Sequence, residues 1–208
     1  MPVGGVLLPA DVAIPAGARG LVVFAHGSGS SRKSARNQFV AGSLRERGLG
    51  TLLFDLLTAA EERRDAIDAQ LRFDIPFLAS RLRDVTDWAK QHETTKNLVV
   101  GYFGASTGAA AALMAAAELP ELAAVVSRGG RPDLAADALT QVRAPTLLIV
   151  GGEDASVLNL NRAAFEQLTG LKKLRIVAGA THLFEEPRAL EQVAALAGDW
   201  LVKYLGAS

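Results

Sequence analysis

Residues 97–108 read NLVVGYFGASTG, an apolar segment that leads into a glycine-rich turn. Residues 98–103 are mostly apolar, with β-branched and aromatic side chains, which is typical of a buried strand. Residues 104–108, GASTG, turn the chain, and the alanine-rich run 109–118 predicts a helix. Strand, G-x-S-x-G and helix in this order predict a tight turn that presents Ser106 as a nucleophile.

The glycines around Ser106 fit that interpretation. A serine at the tip of a tight strand-to-helix turn adopts a strained backbone, so its neighbours favour residues without side chains. The following helix offers unpaired N–H groups and its positive end to an anion formed at Ser106. The alternative is a glycine-rich turn with an incidental serine, which leaves the flanking strand and helix unexplained.

The composition is that of a globular domain. The 208 residues fit one domain, 1–208, and half of them are hydrophobic. The 22 basic and 22 acidic residues balance. The chain therefore lacks the excess of basic residues that is typical of proteins that bind nucleic acid. Cysteine is absent, which excludes disulfides, thiolate metal sites and a cysteine nucleophile.

Residues 1–15 have no charged start followed by an apolar core, and no later apolar run approaches the length of a membrane span. We therefore expect a cytoplasmic protein with no membrane partner. The last predicted helix, 188–205, is a candidate surface for a homodimer.

Strand-like and helix-like segments alternate along the chain. Strands are predicted at 3–8, 20–25, 51–56, 98–103, 122–127, 146–150 and 173–177. Helices are predicted at 34–47, 76–91, 109–118, 157–168 and 188–205, with helical turns within 58–74 and a short helix or loop at 134–141. This order favours an α/β fold, a mainly parallel, doubly wound sheet of about seven strands with helices on both faces.

Polar segments directly follow three of these strands. They are HGSGSS at 26–31, GGED at 151–154 and GATH at 179–182. Ligands bind such sheets at the carboxyl ends of the strands. A serine nucleophile needs a base within hydrogen-bond reach, and an imidazole base needs a carboxylate to fix its tautomer. Ser106, Asp154 and His182 supply these groups in that chain order, each just after a strand.

Four stretches give the chain a family resemblance: VVFAHGSGSS, GYFGASTGAAAAL, PTLLIVGGEDASV and GATHLFEEP. They resemble α/β-hydrolases, and within these the small dienelactone-hydrolase-like members. The resemblance implies the α/β-hydrolase fold over nearly the whole chain. It also implies Ser106 as nucleophile, Asp154 as acid and His182 as base.

The same resemblance implies an oxyanion hole beside the nucleophile. One donor is the backbone N–H of Thr107. The second donor comes from the HGSG turn, where Ser28 is preferred over Gly27. His26 is expected to shape this turn, and a role as a second general base is the less favoured alternative.

Two features depart from the dienelactone hydrolases proper. Those enzymes use a cysteine nucleophile, which this chain lacks, so their lactone substrate is not implied. Only 18 residues lie between Ser127 and Thr146, the ends of two predicted strands. That length leaves no room for a large cap domain and predicts an open pocket.

The expected activity is hydrolysis of small or medium carboxylic esters through an acyl-enzyme on Ser106, with a small-molecule ester as the partner and no cofactor or metal. The same triad would serve an acyltransferase, a thioesterase or an amidase, because specificity depends on the pocket walls. A hydrolase-fold binding module with a vestigial triad is the alternative from another functional class.

Other polar residues have competing interpretations. Glu153 is the alternative triad acid. Asp55 fits a capping or ion-paired carboxylate better than a catalytic one. Arg32 replaces the third glycine of a dinucleotide-binding fingerprint, and no H-E-x-x-H indicates a zinc hydrolase.

Arg128 follows a predicted strand in SRGGRPD, at the rim near Ser106. A guanidinium there can hold a substrate carboxylate or phosphate by a bidentate contact. An ion pair with Asp133 or another local acid is the favoured alternative, with Arg131 simply on the surface.

Overall fold

The computed structural model describes residues 1–206. The strands are Pro2–Val3 (β1), Val6–Leu7 (β2), Ala10–Ala13 (β3), Gly20–Ala25 (β4), Gly50–Phe54 (β5), Val99–Ala105 (β6), Val125–Arg128 (β7), Thr146–Gly151 (β8) and Lys172–Val177 (β9). The α-helices are Ala35–Glu46 (α1), Ala59–Asp68 (α2), Ile75–Gln91 (α3), Thr107–Ala117 (α4), Ala155–Gln167 (α5) and Ala189–Leu201 (α6). Further helical turns occupy Leu71–Phe73, Pro132–Gln141 and Val202–Gly206.

Within residues 1–206, β3 to β9 form one seven-stranded sheet in the spatial order β3-β5-β4-β6-β7-β8-β9. The edge strand β3 pairs antiparallel with β5, and the other neighbouring strands pair in parallel. The carboxyl ends of β4, β6, β7, β8 and β9 therefore meet at one edge of the sheet. The predicted, mainly parallel α/β sheet is confirmed.

Helices cover both faces of this sheet. One apolar core lies between the sheet and the helices α3, α4 and α5, and a second lies between the sheet and α1 and α6. Because the central strands are covered on both faces, their sequences are continuous apolar runs, such as LVVFA in β4 and TLLIV in β8.

The N-terminal segment differs from its prediction. Residues 3–8, expected as one strand, form the two-residue strands β1 and β2 around Gly4 and Gly5, which both have positive φ. Residues 10–13, which lie outside the predicted strands, form β3. This strand lies at the edge of the sheet and is half exposed. Proline lacks a backbone N–H, but Pro9 and Pro15 are tolerated here because they lie outside an edge strand, where the sheet loses no hydrogen bond.

The first turn of α4 packs directly on the end of β4. A β-carbon on Gly108 would lie 2.3 Å from the carbonyl oxygen of Ala25. A β-carbon on Gly104 would lie 2.5 Å from Cα of Ala109. Glycine at both positions lets α4 begin immediately at the carboxyl end of the sheet.

Within residues 1–206, no large cap covers this edge of the sheet. The segment between β7 and β8 contains the turns Pro132–Gln141, which pack against α4. Among residues 1–206, no helix combines the length and the apolar character needed to cross a lipid bilayer.

We predict that Gly108→Ala destabilises the protein by about 2 kcal/mol or more, because its β-carbon overlaps backbone carbonyls that cannot withdraw. Gly42→Ala in α1 is the matched control, since its β-carbon would meet only Arg45 Nη2, at 3.7 Å. That substitution should stabilise the helix by about 0.5–1 kcal/mol. Urea unfolding measures both. Equal stabilities of the two variants would contradict the close approach of α4 to β4.

Candidate active site

Ser106 lies between β6 and α4 in a strained conformation, with φ 50° and ψ −122°. Its N–H donates to the carbonyl oxygen of Arg128 at 3.2 Å, and its own carbonyl accepts from the Arg131 and Ala109 N–H groups, both at 3.1 Å. A positive φ at a non-glycine residue costs roughly 1–3 kcal/mol and persists only where its surroundings fix it. These hydrogen bonds fix the turn that raises the serine side chain above the sheet.

The HGSG turn that follows β4 touches this serine. A β-carbon on Gly27 would lie 3.0 Å from Cβ of Ser106 and 3.2 Å from the carbonyl oxygen of Ala105. Any side chain at position 27 would therefore press on the nucleophile turn. Glycine at 27 therefore permits the close approach of the two turns.

His182 and Asp154 form a hydrogen-bonded pair at the ends of β9 and β8. His182 Nδ1 lies 2.7 Å from Asp154 Oδ2. The other oxygen of Asp154 accepts from the Val157 N–H at 3.4 Å, which makes this carboxylate the N-cap of α5. Glu153 is exposed, so the structure brings Asp154, and not the neighbouring acid, to the imidazole.

Gly129 connects this pair to the Ser106 turn. A β-carbon on Gly129 would lie 3.2 Å from the His182 carbonyl oxygen and 3.6 Å from Cε1 of its ring. The imidazole is therefore beside the end of β7, the strand next to Ser106. Within residues 1–206 no hydrogen bond joins the serine hydroxyl to the imidazole. Such bonds are commonly loose in a free enzyme and tighten when substrate is bound.

The expected oxyanion donor at Ser28 already has an acceptor. The Ser28 N–H donates to the Thr107 hydroxyl oxygen at 2.8 Å, across 79 positions of sequence. The Thr107 N–H, at the first position of α4, has no acceptor within its own helix. This contact of the Thr107 hydroxyl could not be predicted, because a contact between distant segments leaves no local signal in the sequence.

His26 supports the HGSG turn. Its Nε2 accepts from the Leu56 N–H at 3.0 Å, so Nδ1 carries the proton and donates to the Gly27 carbonyl oxygen at 2.9 Å. Burial lowers the pKa of the His26 imidazole below its ordinary value of 6.5. The ring is neutral, and the nitrogen that a general base would use is occupied. Both nitrogens of the His26 ring are thus engaged in hydrogen bonds within the protein.

Asp55, at the end of β5, is an ion-paired carboxylate. It pairs with the Arg32 guanidinium and accepts from the Arg32 N–H at 2.7 Å. The expectation of a capping or ion-paired role is met.

A small cleft, with a volume of about 60 Å³, opens beside the HGSG turn. Its walls include Ser28, Thr107 and Leu57, and the charged residues Asp55, Glu62, Asp65 and Arg72. Because Thr107 directly follows Ser106, the cleft reaches the nucleophile turn from the β4 and β5 side.

The expected ion pair between Arg128 and Asp133 is not formed. Asp133 accepts two hydrogen bonds from Arg131, at 2.8 and 2.9 Å. Arg131 is closer to Asp133 along the chain, and its side chain is on the surface, where both groups meet. Arg128 is instead buried at the end of β7.

In the part of the chain that the structure describes, no cluster of three or more His, Asp or Glu side chains is arranged to hold a metal ion.

Comparison with solved structures gives a close match over almost the whole chain. The dienelactone hydrolase from Anabaena variabilis superposes with a TM-score of 0.96 at 59% identity, covering 98% of this chain and 94% of that one. Est1E from Butyrivibrio proteoclasticus superposes with a TM-score of 0.81 at 17% identity, covering 100% and 99%. The second match supports the fold alone.

Two curated relatives from Mycobacterium tuberculosis, from strains CDC 1551 and H37Rv, are 58% identical over 203 residues. Both bear the name "Putative phosphoribosyl transferase". The match covers 97% of this chain but 45% of each relative, so the chain spans about half their length.

The sequence profile of the dienelactone hydrolase family matches residues 8–203, which contain every element of the sheet. With this match and the Anabaena structure, the chain belongs to the dienelactone hydrolase family.

Proposed function

We propose that this chain hydrolyses carboxylic esters of small or medium size through an acyl-enzyme on Ser106. The observation that carries the proposal is the 2.7 Å bond between His182 Nδ1 and Asp154 Oδ2, beside the strained Ser106 turn. An imidazole held by a carboxylate through Nδ1 has Nε2 free to accept a proton from a serine hydroxyl.

The reaction begins when Ser106 Oγ attacks the ester carbonyl and His182 Nε2 takes its proton. Asp154 stabilises the imidazolium that results. His182 then protonates the departing alcohol, which leaves the acyl group on the serine. A water then gives a proton to His182 and attacks the acyl group. As the acid leaves, His182 returns that proton to Ser106 Oγ, which restores the starting enzyme.

The oxyanion is held at the positive end of α4 in this proposal. The Thr107 N–H is the first donor. The Thr107 hydroxyl is the second, since its oxygen already accepts from the Ser28 N–H and its own proton remains to be donated. Ser28 therefore acts through Thr107, which modifies the direct role expected from the sequence. Each such donor typically contributes about 3 kcal/mol.

The cleft beside Thr107 would hold one side of the ester. Since no large cap covers the carboxyl ends of the strands, substrates reach it from open solvent.

Ser106→Ala should lower kcat for 4-nitrophenyl acetate and butyrate by at least about a thousandfold, because the covalent route is lost. A fluorophosphonate should add once to the wild type and not to this variant, as measured by intact mass. Ser80→Ala on α3 is the control and should keep full labelling. Equal turnover by Ser106→Ala would contradict the proposal, and labelling without turnover would favour acyl transfer to another acceptor.

Asp154→Asn should lower kcat about ten-thousandfold, because an amide stabilises the wrong imidazole tautomer. Asparagine also caps helices well, so the stability of α5 should change little. The matched control is Glu153→Gln, one residue away and exposed. Steady-state kinetics on 4-nitrophenyl butyrate distinguishes them. A larger loss of kcat in Glu153→Gln than in Asp154→Asn would indicate that Glu153 is the acid of the triad.

Thr107→Val keeps the shape of the side chain and removes the hydroxyl. We expect kcat to fall about a hundredfold because one oxyanion donor is lost. Thr107→Ser, which keeps the hydroxyl, should stay within about tenfold of wild type. The same ester assay measures both. If Thr107→Val has the same kcat as wild type, the Thr107 hydroxyl is not an oxyanion donor. A higher kcat would indicate that the Ser28 N–H binds the oxyanion directly.

A further inference from the structure

Asn161 is a fully buried polar residue in the middle of α5, with an exposed fraction of 0%. The other buried residues on this helix, Val157, Leu158 and Ala164, are apolar. The amide nitrogen of Asn161 donates to two carbonyl oxygens, that of Gly130 at 2.9 Å and that of Val157 at 2.8 Å. The nitrogen, and not the oxygen, of the amide must face this pair, because a carbonyl oxygen can only accept a hydrogen bond.

Packing alone does not account for an asparagine at this position. Within residues 1–206 the amide oxygen of Asn161 is buried with no hydrogen-bond partner. A buried polar atom without a partner destabilises the folded state, and an apolar side chain of similar size would avoid that cost. Residues that break a local rule of this kind are found chiefly at functional sites. The contact that distinguishes asparagine from an apolar residue is the one that reaches outside the helix, to Gly130.

Gly130 belongs to segment 128–131, which holds both backbone groups of Ser106. The Ser106 N–H donates to the carbonyl oxygen of Arg128 at 3.2 Å. The Arg131 N–H donates to the Ser106 carbonyl oxygen at 3.1 Å. A displacement of segment 128–131 would therefore displace the nucleophile turn with it.

The same segment touches the imidazole. A β-carbon on Gly129 would lie 3.2 Å from the His182 carbonyl oxygen and 3.6 Å from Cε1 of the ring. The Gly129 N–H donates to the carbonyl oxygen of Ile149 at 2.8 Å, which ties this end of the segment to β8. The segment thus lies between Ser106 and His182, and its position sets the distance between them.

The two glycines of the segment cannot fix its conformation by themselves, because glycine has wide backbone freedom. Close packing nevertheless requires a glycine at 130. A β-carbon there would lie 2.0 Å from Ser127 Oγ and 2.7 Å from Cβ of Ala109. Hydrogen bonds must therefore hold this part of the chain, and the side chain that reaches the Gly130 carbonyl oxygen is Asn161.

Helix α5 is thereby linked to both sides of the proposed triad. Its N-cap, Asp154, binds His182 Nδ1 at 2.7 Å and accepts from the Val157 N–H at 3.4 Å. The carbonyl oxygen of the same Val157 accepts from Asn161. Asp154 and Asn161 lie about two turns apart on the helix. The acid binds the imidazole, and the amide binds the segment that holds the nucleophile.

We propose that Asn161 is a positioning residue of this site. By holding the Gly130 carbonyl oxygen it fixes segment 128–131, and so fixes the separation between Ser106 and His182. This inference rests on the proposed ester hydrolysis. Asn161 acts through the backbone of the segment and not on the substrate. Proton transfer from serine to imidazole tolerates little displacement, and a misplacement of about 1 Å can cost about a hundredfold in rate.

The test uses two substitutions of Asn161 and two controls on the same helix. Asn161→Leu has a similar size and removes the amide donor. Asn161→Ser keeps a donor for the Val157 carbonyl oxygen, one turn back, but is too short to reach Gly130. Asn159→Leu is the exposed control. Ala164→Gly, at a buried position, lowers the stability of α5 without removing a polar contact.

With 4-nitrophenyl butyrate, kcat should fall by about tenfold to a hundredfold in both Asn161 variants, while KM stays within about threefold. Both controls should keep kcat within about twofold, measured well below the melting temperature of every variant. The acidic limb of the kcat/KM profile, which reports His182, should not move, because Asn161 does not hold the imidazole. A loss of kcat in Ala164→Gly as large as that in Asn161→Leu would overturn the proposal.

Amide hydrogen exchange separates this inference from ester hydrolysis itself, because it needs no substrate. The N–H groups of Ser106 and Arg131 should exchange at least about tenfold faster in both Asn161 variants than in Ala164→Gly. Unchanged exchange would overturn the proposal whether or not the protein hydrolyses esters, and faster exchange with a wild-type kcat would also overturn it. Faster exchange in a protein that turns over no ester would leave Asn161 as the residue that fixes the Ser106 turn and remove the hydrolase. If Asn161→Leu does not fold, Asn161→Ser decides the same question.

Discussion

The positive φ of Ser106 is the constraint on which the rest of the site depends. Holding one residue in that conformation requires α4 to start at the sheet itself, which Gly104 and Gly108 permit by lacking side chains. The same close packing brings the HGSG turn against the serine, so that Gly27 touches it. The Ser106 turn, the HGSG turn and the start of α4 thus form one closely packed unit, and the surrounding loops add the imidazole and the charges.

Most of the fold could be predicted because its central strands are buried on both faces. Strands buried on both sides have continuous apolar sequences, as in β4, β6 and β8. Such runs can be recognised in the sequence without knowing which strands pair with them. The edge strand β3 could not be predicted. Its side chains are half exposed and its flanks carry prolines, so it has the composition of a turn although it pairs with β5.

The positions of Ser106, Asp154 and His182 could be predicted for a related reason, since each directly follows a readable strand. What escaped prediction depends on contacts between segments far apart in sequence. The Thr107 hydroxyl meets the Ser28 N–H across 79 residues. Arg128 Nε and Nη1 likewise have no hydrogen-bond acceptor because Arg131, and not Arg128, pairs with Asp133. Which arginine forms that pair depends on side-chain packing, which a local sequence pattern does not reveal.

One carboxylate, Asp154, both caps α5 and fixes the imidazole of His182. A related protein that lost the proposed activity would therefore still be constrained at position 154. The helix would still require a short acceptor there, and asparagine, serine or threonine would satisfy it. A relative with asparagine at 154 keeps its helix but has lost a reason for histidine at 182. Under the proposed mechanism, the residue pair at 154 and 182, taken together, thus separates relatives that can carry out acyl transfer from those that keep only the scaffold.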